Sequence, residues 1–121
     1  MEKKTILIIE DDLEVCTVLK DYLSSKGYAV ILAHDGLTGI QKCRLQVFDA
    51  IITDIRMPKM EGNHAVEAIK DSTLNKQTPV IVLSGTLNVD LLQIMKRHIS
   101  RAFTKPVDFD KLEGALQELI K

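Results

Sequence analysis

Acidic, hydroxyl and basic side chains stand in this sequence directly after short apolar runs. Glu10 and Asp11 follow the first run, and Asp54 follows the third. Ser84 and Lys105 take the same position after the fourth and fifth runs. Ligands of open parallel sheets bind outside the carboxyl ends of the strands, so these side chains are candidates for one shared site. Carboxylates beside a lysine and a hydroxyl are suited to phosphoryl transfer assisted by a cation.

The acidic residues imply a bound cation. Three carboxylates at one edge of a sheet would repel one another and raise their own pKa values unless a cation neutralised them. Oxygen ligands without a nearby thiolate or imidazole favour magnesium. Asp54 is then the nucleophile, with Lys105 and the Ser84 hydroxyl binding oxygens of the transferred phosphoryl group. Taken singly, Asp12 or Ser84 could cap a helix and Lys105 could be a surface lysine, but the combination favours a site.

These residues are positioned by an alternation of strands and helices. Strands that are apolar at every position are buried on both faces, which predicts a parallel sheet covered by helices on both sides. The predicted class is therefore a doubly wound α/β fold in one domain, residues 1–121. The predicted strands are 5–9, 28–33, 50–53, 80–83 and 101–104, and the predicted helices are 13–26, 37–46, 64–74, 89–97 and 109–120.

The length, charge and amino-acid composition of the chain limit the functions that it can have. The 121 residues, 45% apolar, suffice for one core without metals or disulfides. A formal net charge of -1 gives no positive field for direct nucleic-acid binding. No signal peptide and no apolar run of bilayer length occur, which predicts a cytoplasmic protein without membrane contact. Cys16 and Cys43 are predicted to be buried, reduced thiols without a chemical role.

Four motifs resemble the receiver domain of bacterial two-component response regulators. They are ILIIEDD at 6–12, DIRMPKMEG at 54–62, VLSG at 82–85 and TKP at 104–106, and together they span the chain. The resemblance implies a flavodoxin-like fold, with five parallel strands in the order 2-1-3-4-5 and five flanking helices.

The resemblance also implies roles for individual residues. Asp54 is the expected phosphoacceptor, Ser84 the switch hydroxyl and Lys105 the lysine that contacts the phosphoryl group. Magnesium is expected to bind Glu10, Asp11, Asp54 and the main-chain carbonyl of Arg56. A cis peptide is expected before Pro106.

One position departs from the family pattern. The aromatic residue that usually takes part in switching lies three residues before the lysine, where this sequence has Ala102. Phe103 has the opposite strand parity and is expected on the other face. Either signalling runs through Ser84 and backbone shifts alone, or the surface beside Ala102 receives a side chain of a partner. The predicted helix 89–97 carries two apolar stripes, which indicate either a docking face or a wider buried stripe.

The resemblance predicts a signalling protein that does not turn over an external substrate. A sensor histidine kinase or phosphotransfer protein would donate the phosphoryl group to Asp54, and a downstream output domain or protein would read the result. Residues 89–97, the fifth strand and the last helix are the expected contact surface for output or for a homodimer formed on phosphorylation. Two alternatives are a degenerate receiver that binds without phosphorylation and a phosphatase of the dehalogenase type with an aspartate nucleophile.

Overall fold

The computed structural model describes residues 3–54, 62–85 and 98–120. Five strands and four helices lie in these ranges. The strands are β1 (Thr5–Ile9), β2 (Ala29–Ala33), β3 (Ala50–Asp54), β4 (Val80–Ser84) and β5 (Arg101–Thr104). The helices are α1 (Leu13–Ser25), α2 (Gly36–Leu45), α3 (Gly62–Asp71) and α4 (Phe109–Leu119).

The strands form one parallel sheet in the order β2-β1-β3-β4-β5, which confirms the predicted fold class. Side chains alternate between its two faces, and in the described part of the chain two helices lie on each face. Leu7 and Ile9 of β1 belong to the core under α2 and α3. Ile6 and Ile8 belong to the core under α1 and α4. Burial on both faces explains why these strands are apolar throughout.

Several element boundaries differ from the predicted ones by one to three residues. β3 and β4 each extend one residue further, because Asp54 pairs in register with Leu83 and Ser84 pairs with Thr104. α3 ends at Asp71 rather than at 74, and a turn follows. The predicted helix 89–97 lies outside the described residues. No helix of the described ranges has the length and apolarity that a bilayer span requires.

The ends of α1 are set by two local signals in the sequence. The Asp12 side chain accepts hydrogen bonds from the amides of Glu14 and Val15 and so caps the first turn. At the other end Gly27 adopts a φ of 96°, and the amides of Gly27 and Tyr28 donate to carbonyls of the last turn. This is a Schellman motif, which needs a residue that tolerates the left-handed conformation.

Asn75 organises the edge of the sheet where the strands begin. Its side chain is fully buried. The amide oxygen accepts from the Phe48 amide at 2.9 Å and from the Thr78 hydroxyl at 3.0 Å. The amide nitrogen donates to the carbonyls of Cys43 at 2.7 Å and Gln46 at 2.9 Å. One side chain thereby satisfies buried groups from the end of α2 and from the segments leading into β3 and β4.

Close packing of α2 on β1 depends on Gly39. A Cβ added there would lie 2.5 Å from Cδ1 and 2.8 Å from Cγ1 of Ile9, a fully buried side chain. Ile9 directly precedes Glu10, so this contact also fixes the position from which the first acidic residue leaves the sheet.

Gly39→Ala is expected to lower the free energy of unfolding by about 1–3 kcal/mol, because overpacking outweighs the gain of about 1 kcal/mol in helix propensity. Gly114→Ala is the matched control, since a Cβ at Gly114 in α4 meets no atom within 4 Å. It should stabilise the protein by about 0.5–1 kcal/mol. Chemical denaturation measures both changes, and equal effects at the two glycines would contradict the packing argument.

Candidate functional site

Three carboxylates converge at the carboxyl edge of the sheet. Glu10 comes directly after β1, Asp11 follows it, and Asp54 is the last residue of β3, the strand that pairs with β1. One carboxylate oxygen from each lies within 4.8 Å of the other two. Glu10 is buried, whereas Asp11 is exposed on the solvent side of the cluster. The sequence prediction that these three acids meet is therefore confirmed.

Lys105 joins the cluster from the end of β5. Its ammonium group donates to Asp54 Oδ2 at 2.9 Å and also to Glu10 Oε1. The side chain is 24% exposed, compared with 3% for Glu10 and 11% for Asp54. The Lys105 amide donates to the carbonyl of Ser84 at 2.8 Å, and the following peptide to Pro106 is cis, as the resemblance implied. The sequence predicts that Lys105 shares one site with these carboxylates, but not that it contacts Glu10 directly.

The charges of the cluster influence one another. Burial raises the pKa of Glu10 to about 7, and the negative charge of Asp54 adds to the rise, while the hydrogen bond from Lys105 opposes it. Burial alone would lower the pKa of Lys105, but its hydrogen bonds to Glu10 and Asp54 outweigh this effect and hold that pKa above its ordinary value. The lysine thus compensates part of the repulsion between the carboxylates.

The donor set fits magnesium. The three side chains offer only carboxylate oxygens, which hard divalent cations prefer. One of them faces solvent, where water and a phosphoryl oxygen can complete an octahedron. Asp12 is not part of this set, because its carboxylate caps α1. The carbonyl of Arg56, the fourth predicted ligand, lies outside the described residues.

Ser84 lies at the end of β4, and Ala102 and Phe103 of β5 face opposite sides of the sheet. Ser84 is 2% exposed at the end of β4, beside the strand that carries Asp54. Ala102 packs against the core under α2 and α3, whereas Phe103 packs against the opposite core. The predicted parity is confirmed, and the position of the usual switch aromatic holds only a methyl group.

The main chain of Glu10 is fixed by contacts that the sequence analysis missed. Its amide donates to the carbonyl of Ala33 at 2.9 Å. Its carbonyl oxygen lies 3.2 Å from the Cys16 sulfur and 3.3 Å from Nδ1 of His34. Neither contact could be predicted from sequence. His34 lies 24 residues from Glu10, and a histidine is compatible with any position on a protein surface.

An apolar groove of about 470 Å³ lies beside the carboxylate cluster. Its walls come from α1 and from the segment between β5 and α4, and Lys105 is part of its lining. Val18 of α1 is 47% exposed along it. The groove therefore offers an accessible apolar surface next to Asp54. The other lining residues are Glu14, Val15, Leu19, Leu83, Pro106, Val107 and Phe109.

Comparison with known proteins identifies relatives of this chain. The family model of the response regulator receiver domain matches residues 6–117. The transcriptional regulatory protein ZraR of Klebsiella oxytoca is 38% identical over 120 residues, which cover 98% of this chain and 27% of ZraR. The ZraR of Escherichia coli K12 is 34% identical over 116 residues. The chain thus spans about a quarter of the length of these curated relatives.

Solved structures agree with the sequence relationship. The chemotaxis protein CheY4 of Vibrio cholerae superposes with a TM-score of 0.92 at 27% identity, covering 98% of this chain and all of CheY4. The receiver domain of the sensor histidine kinase PA1611 of Pseudomonas aeruginosa PAO1 has a TM-score of 0.89 at 28% identity, covering 98% of both chains. That receiver holds a magnesium ion in its active site cleft, in keeping with the oxygen donors found here. By its family match, its strand order and its carboxylate cluster, this chain belongs to the receiver domains of two-component response regulators.

Proposed function

We propose that the chain forms one receiver domain, residues 1–121, that accepts a phosphoryl group on Asp54 in a magnesium-dependent reaction. The observation that carries this proposal is the position of Asp54 between Lys105, which donates to its Oδ2, and the oxygens of Glu10 and Asp11. Asp54 is also accessible, because 11% of its side chain remains exposed at the open edge of the sheet.

The residues around Asp54 have separate tasks in this reaction. A carboxylate oxygen of Asp54 forms the bond to phosphorus, while the phosphorus–nitrogen bond of a phosphohistidine donor breaks and its imidazole leaves. Glu10 and Asp11 would hold magnesium, which would neutralise charge on the phosphoryl oxygens. Lys105 neutralises another of these oxygens, and the Ser84 hydroxyl is the proposed donor to a third.

Regulation of a partner is proposed as the outcome, without turnover of an external substrate. A phosphatase of the dehalogenase type usually carries a second aspartate two residues after its nucleophile, where this chain has Arg56. A degenerate receiver would lack part of the acidic pair, the acceptor or the lysine. Here Glu10, Asp11, Asp54 and Lys105 are all present and meet in one place.

The proposed partners follow from the family. The donor is a sensor histidine kinase or a phosphotransfer protein, and the output is a downstream domain or protein. Cytoplasmic location belongs to the same proposal. Output contacts and dimer formation are proposed for β5 and α4 together with residues 89–97, which lie outside the described part of the chain.

The apolar groove is the proposed docking place for the phosphodonor. It lies beside Lys105, which itself contacts Asp54. A helix that presents a phosphohistidine could cover the exposed Val18 and bring its phosphorus to Asp54. Half-exposed apolar side chains next to a reactive group favour such a contact over a purely structural role.

Incubation with acetyl phosphate and magnesium should add one phosphoryl group to the chain, measured by intact mass spectrometry. Asp54→Asn should abolish the adduct at every magnesium concentration, because it removes the nucleophile. Asp11→Asn makes the same change of charge in the same cluster, yet it should only raise the magnesium concentration required. A persistent adduct in Asp54→Asn, or full yield in excess chelator, would contradict the assignment.

Magnesium affinity should fall about tenfold between about pH 8 and about pH 6. Glu10 must lose its proton to bind the ion, and its pKa of about 7 in the metal-free protein means that it is mostly protonated at the lower pH. Calorimetry in two buffers of different ionisation enthalpy should detect release of nearly one proton per magnesium at the lower pH and little at the higher one.

The Glu10→Gln variant is the control for this titration. It should bind magnesium more weakly, but with little pH dependence and no proton release over this range. Equal affinity of the wild-type chain at both pH values would contradict the role given to Glu10.

Val18→Glu should slow phosphoryl transfer from a phosphorylated histidine phosphotransfer protein by about tenfold or more, because the new charge would be desolvated on docking. Transfer from acetyl phosphate should be unchanged. Thr17→Glu places the same charge on the exposed side of α1 outside the groove and should affect neither donor. Equal slowing by both variants, or slowing with acetyl phosphate, would remove the groove from the docking model.

A further inference from the structure

A second set of metal-binding groups lies behind the carboxylate cluster. The Cys16 sulfur lies 3.6 Å from Nδ1 of His34. Both atoms also approach the main-chain carbonyl oxygen of Glu10, at 3.2 Å from the sulfur and 3.3 Å from Nδ1. The three atoms come from α1, from the residue after β2 and from the residue after β1. The fold therefore assembles a sulfur, a nitrogen and an oxygen in one small triangle.

The size of this triangle matches one face of a tetrahedral zinc-type site. Zinc binds sulfur at about 2.3 Å and nitrogen or oxygen at about 2.0–2.2 Å. At tetrahedral angles these lengths separate sulfur from nitrogen by about 3.6 Å, sulfur from oxygen by about 3.6 Å and nitrogen from oxygen by about 3.4 Å. The observed separations are 3.6, 3.2 and 3.3 Å. Only the sulfur–oxygen edge must lengthen, by a few tenths of an ångström.

The residues around this triangle carry negative charge, and the triangle is accessible from the protein surface. His34 is exposed, so its imidazole lies at the protein surface, whereas Cys16 beneath it is 1% exposed. An ion can therefore enter past the imidazole, with water in the fourth position. The carboxylates of Glu10, Asp12 and Asp11 act on the Cys16 thiol, where their negative charge helps to raise its pKa, after the larger effect of burial. The same negative field attracts a cation.

The ligand types separate this place from the magnesium site. Within residues 3–54, 62–85 and 98–120, only Glu10, Asp11 and Asp54 form a group of three or more metal-binding side chains. That group has only oxygen ligands, which select a hard ion. A thiolate and an imidazole select a softer one, such as zinc or cadmium.

We propose that Cys16, His34 and the carbonyl of Glu10 form a binding site for one thiophilic divalent cation, distinct from the magnesium site. On binding, the Cys16 thiol loses its proton to solvent and the thiolate becomes a ligand. The His34 ring proton is exchanged through solvent from Nδ1 to Nε2, and the unprotonated Nδ1 binds the ion. The two hydrogen-bond contacts to the Glu10 carbonyl are replaced by the ion. This site does not depend on the proposed phosphoryl transfer.

Cadmium is the probe for the test, because a cadmium–thiolate bond gives an ultraviolet charge-transfer band. Cadmium is titrated into the full chain with magnesium in excess, so that the carboxylate cluster is occupied by the harder ion. The expected result is a band that saturates at one cadmium per chain. His34→Gln, a surface change that leaves the thiol in place, should weaken cadmium binding by about tenfold or more.

Cys16→Ser supplies the internal control, since it retains Cys43 as the remaining thiol of the chain. Cys43 is fully buried in the core under α2 and α3, so this variant should show no band. The proposal is overturned if the wild-type chain gives no band, if Cys16→Ser gives the same band, or if His34→Gln binds cadmium as tightly as the wild type. His34→Gln decides the question by itself if Cys16→Ser does not fold.

Discussion

The ammonium group of Lys105 holds together two carboxylates that would otherwise repel each other. It donates to both Glu10 and Asp54, which come from neighbouring strands and whose side chains are largely buried. A charge such as that of Glu10 is costly to bury unless an opposite charge accompanies it. Burial and Asp54 still keep the pKa of Glu10 well above its ordinary value, which means that one lysine compensates only partly. A divalent ion bound by the same carboxylates would supply the remaining positive charge, which links the geometry of the edge to the proposed chemistry.

The sheet is what brings these groups together. Parallel strands end at the same edge, so residues separated by 51 and 95 positions in sequence become neighbours. Apolar cores on both faces fix the strands in register, and Gly39 lets α2 approach β1 directly before Glu10. The contacts of Cys16 and His34 with the Glu10 carbonyl anchor the main chain at the same point. Packing thus fixes the main-chain positions of the charged residues, and electrostatic interactions orient their side chains.

Sequence reasoning succeeded where local patterns carry the information. Continuous apolar runs such as Val80 to Leu83 indicate strands covered on both faces, and strand ends indicate where polar side chains gather. Asp12 and Gly27 set the ends of α1 through contacts within a few residues. The pair of Lys105 with Glu10 was missed because it depends on the final three-dimensional approach of two strands that are not adjacent in the sheet. The early end of α3 was missed for a related reason. The Asn75 side chain that follows the helix donates hydrogen bonds to carbonyls about 30 residues away, which no local pattern reveals.

Because Asn75 lies where the strands begin, amino-acid substitutions at the two ends of the sheet should have different effects. Its buried amide satisfies main-chain groups where the strands begin, whereas the carboxylate cluster lies where they end. Substitution of Asn75 would reduce the amount of folded protein in a cell, because buried polar groups would lose their hydrogen-bond partners. Replacement of the exposed Asp11 at the second end would instead leave a normal quantity of protein with an altered carboxylate cluster. The two kinds of defect can therefore be distinguished by comparing abundance with signal output.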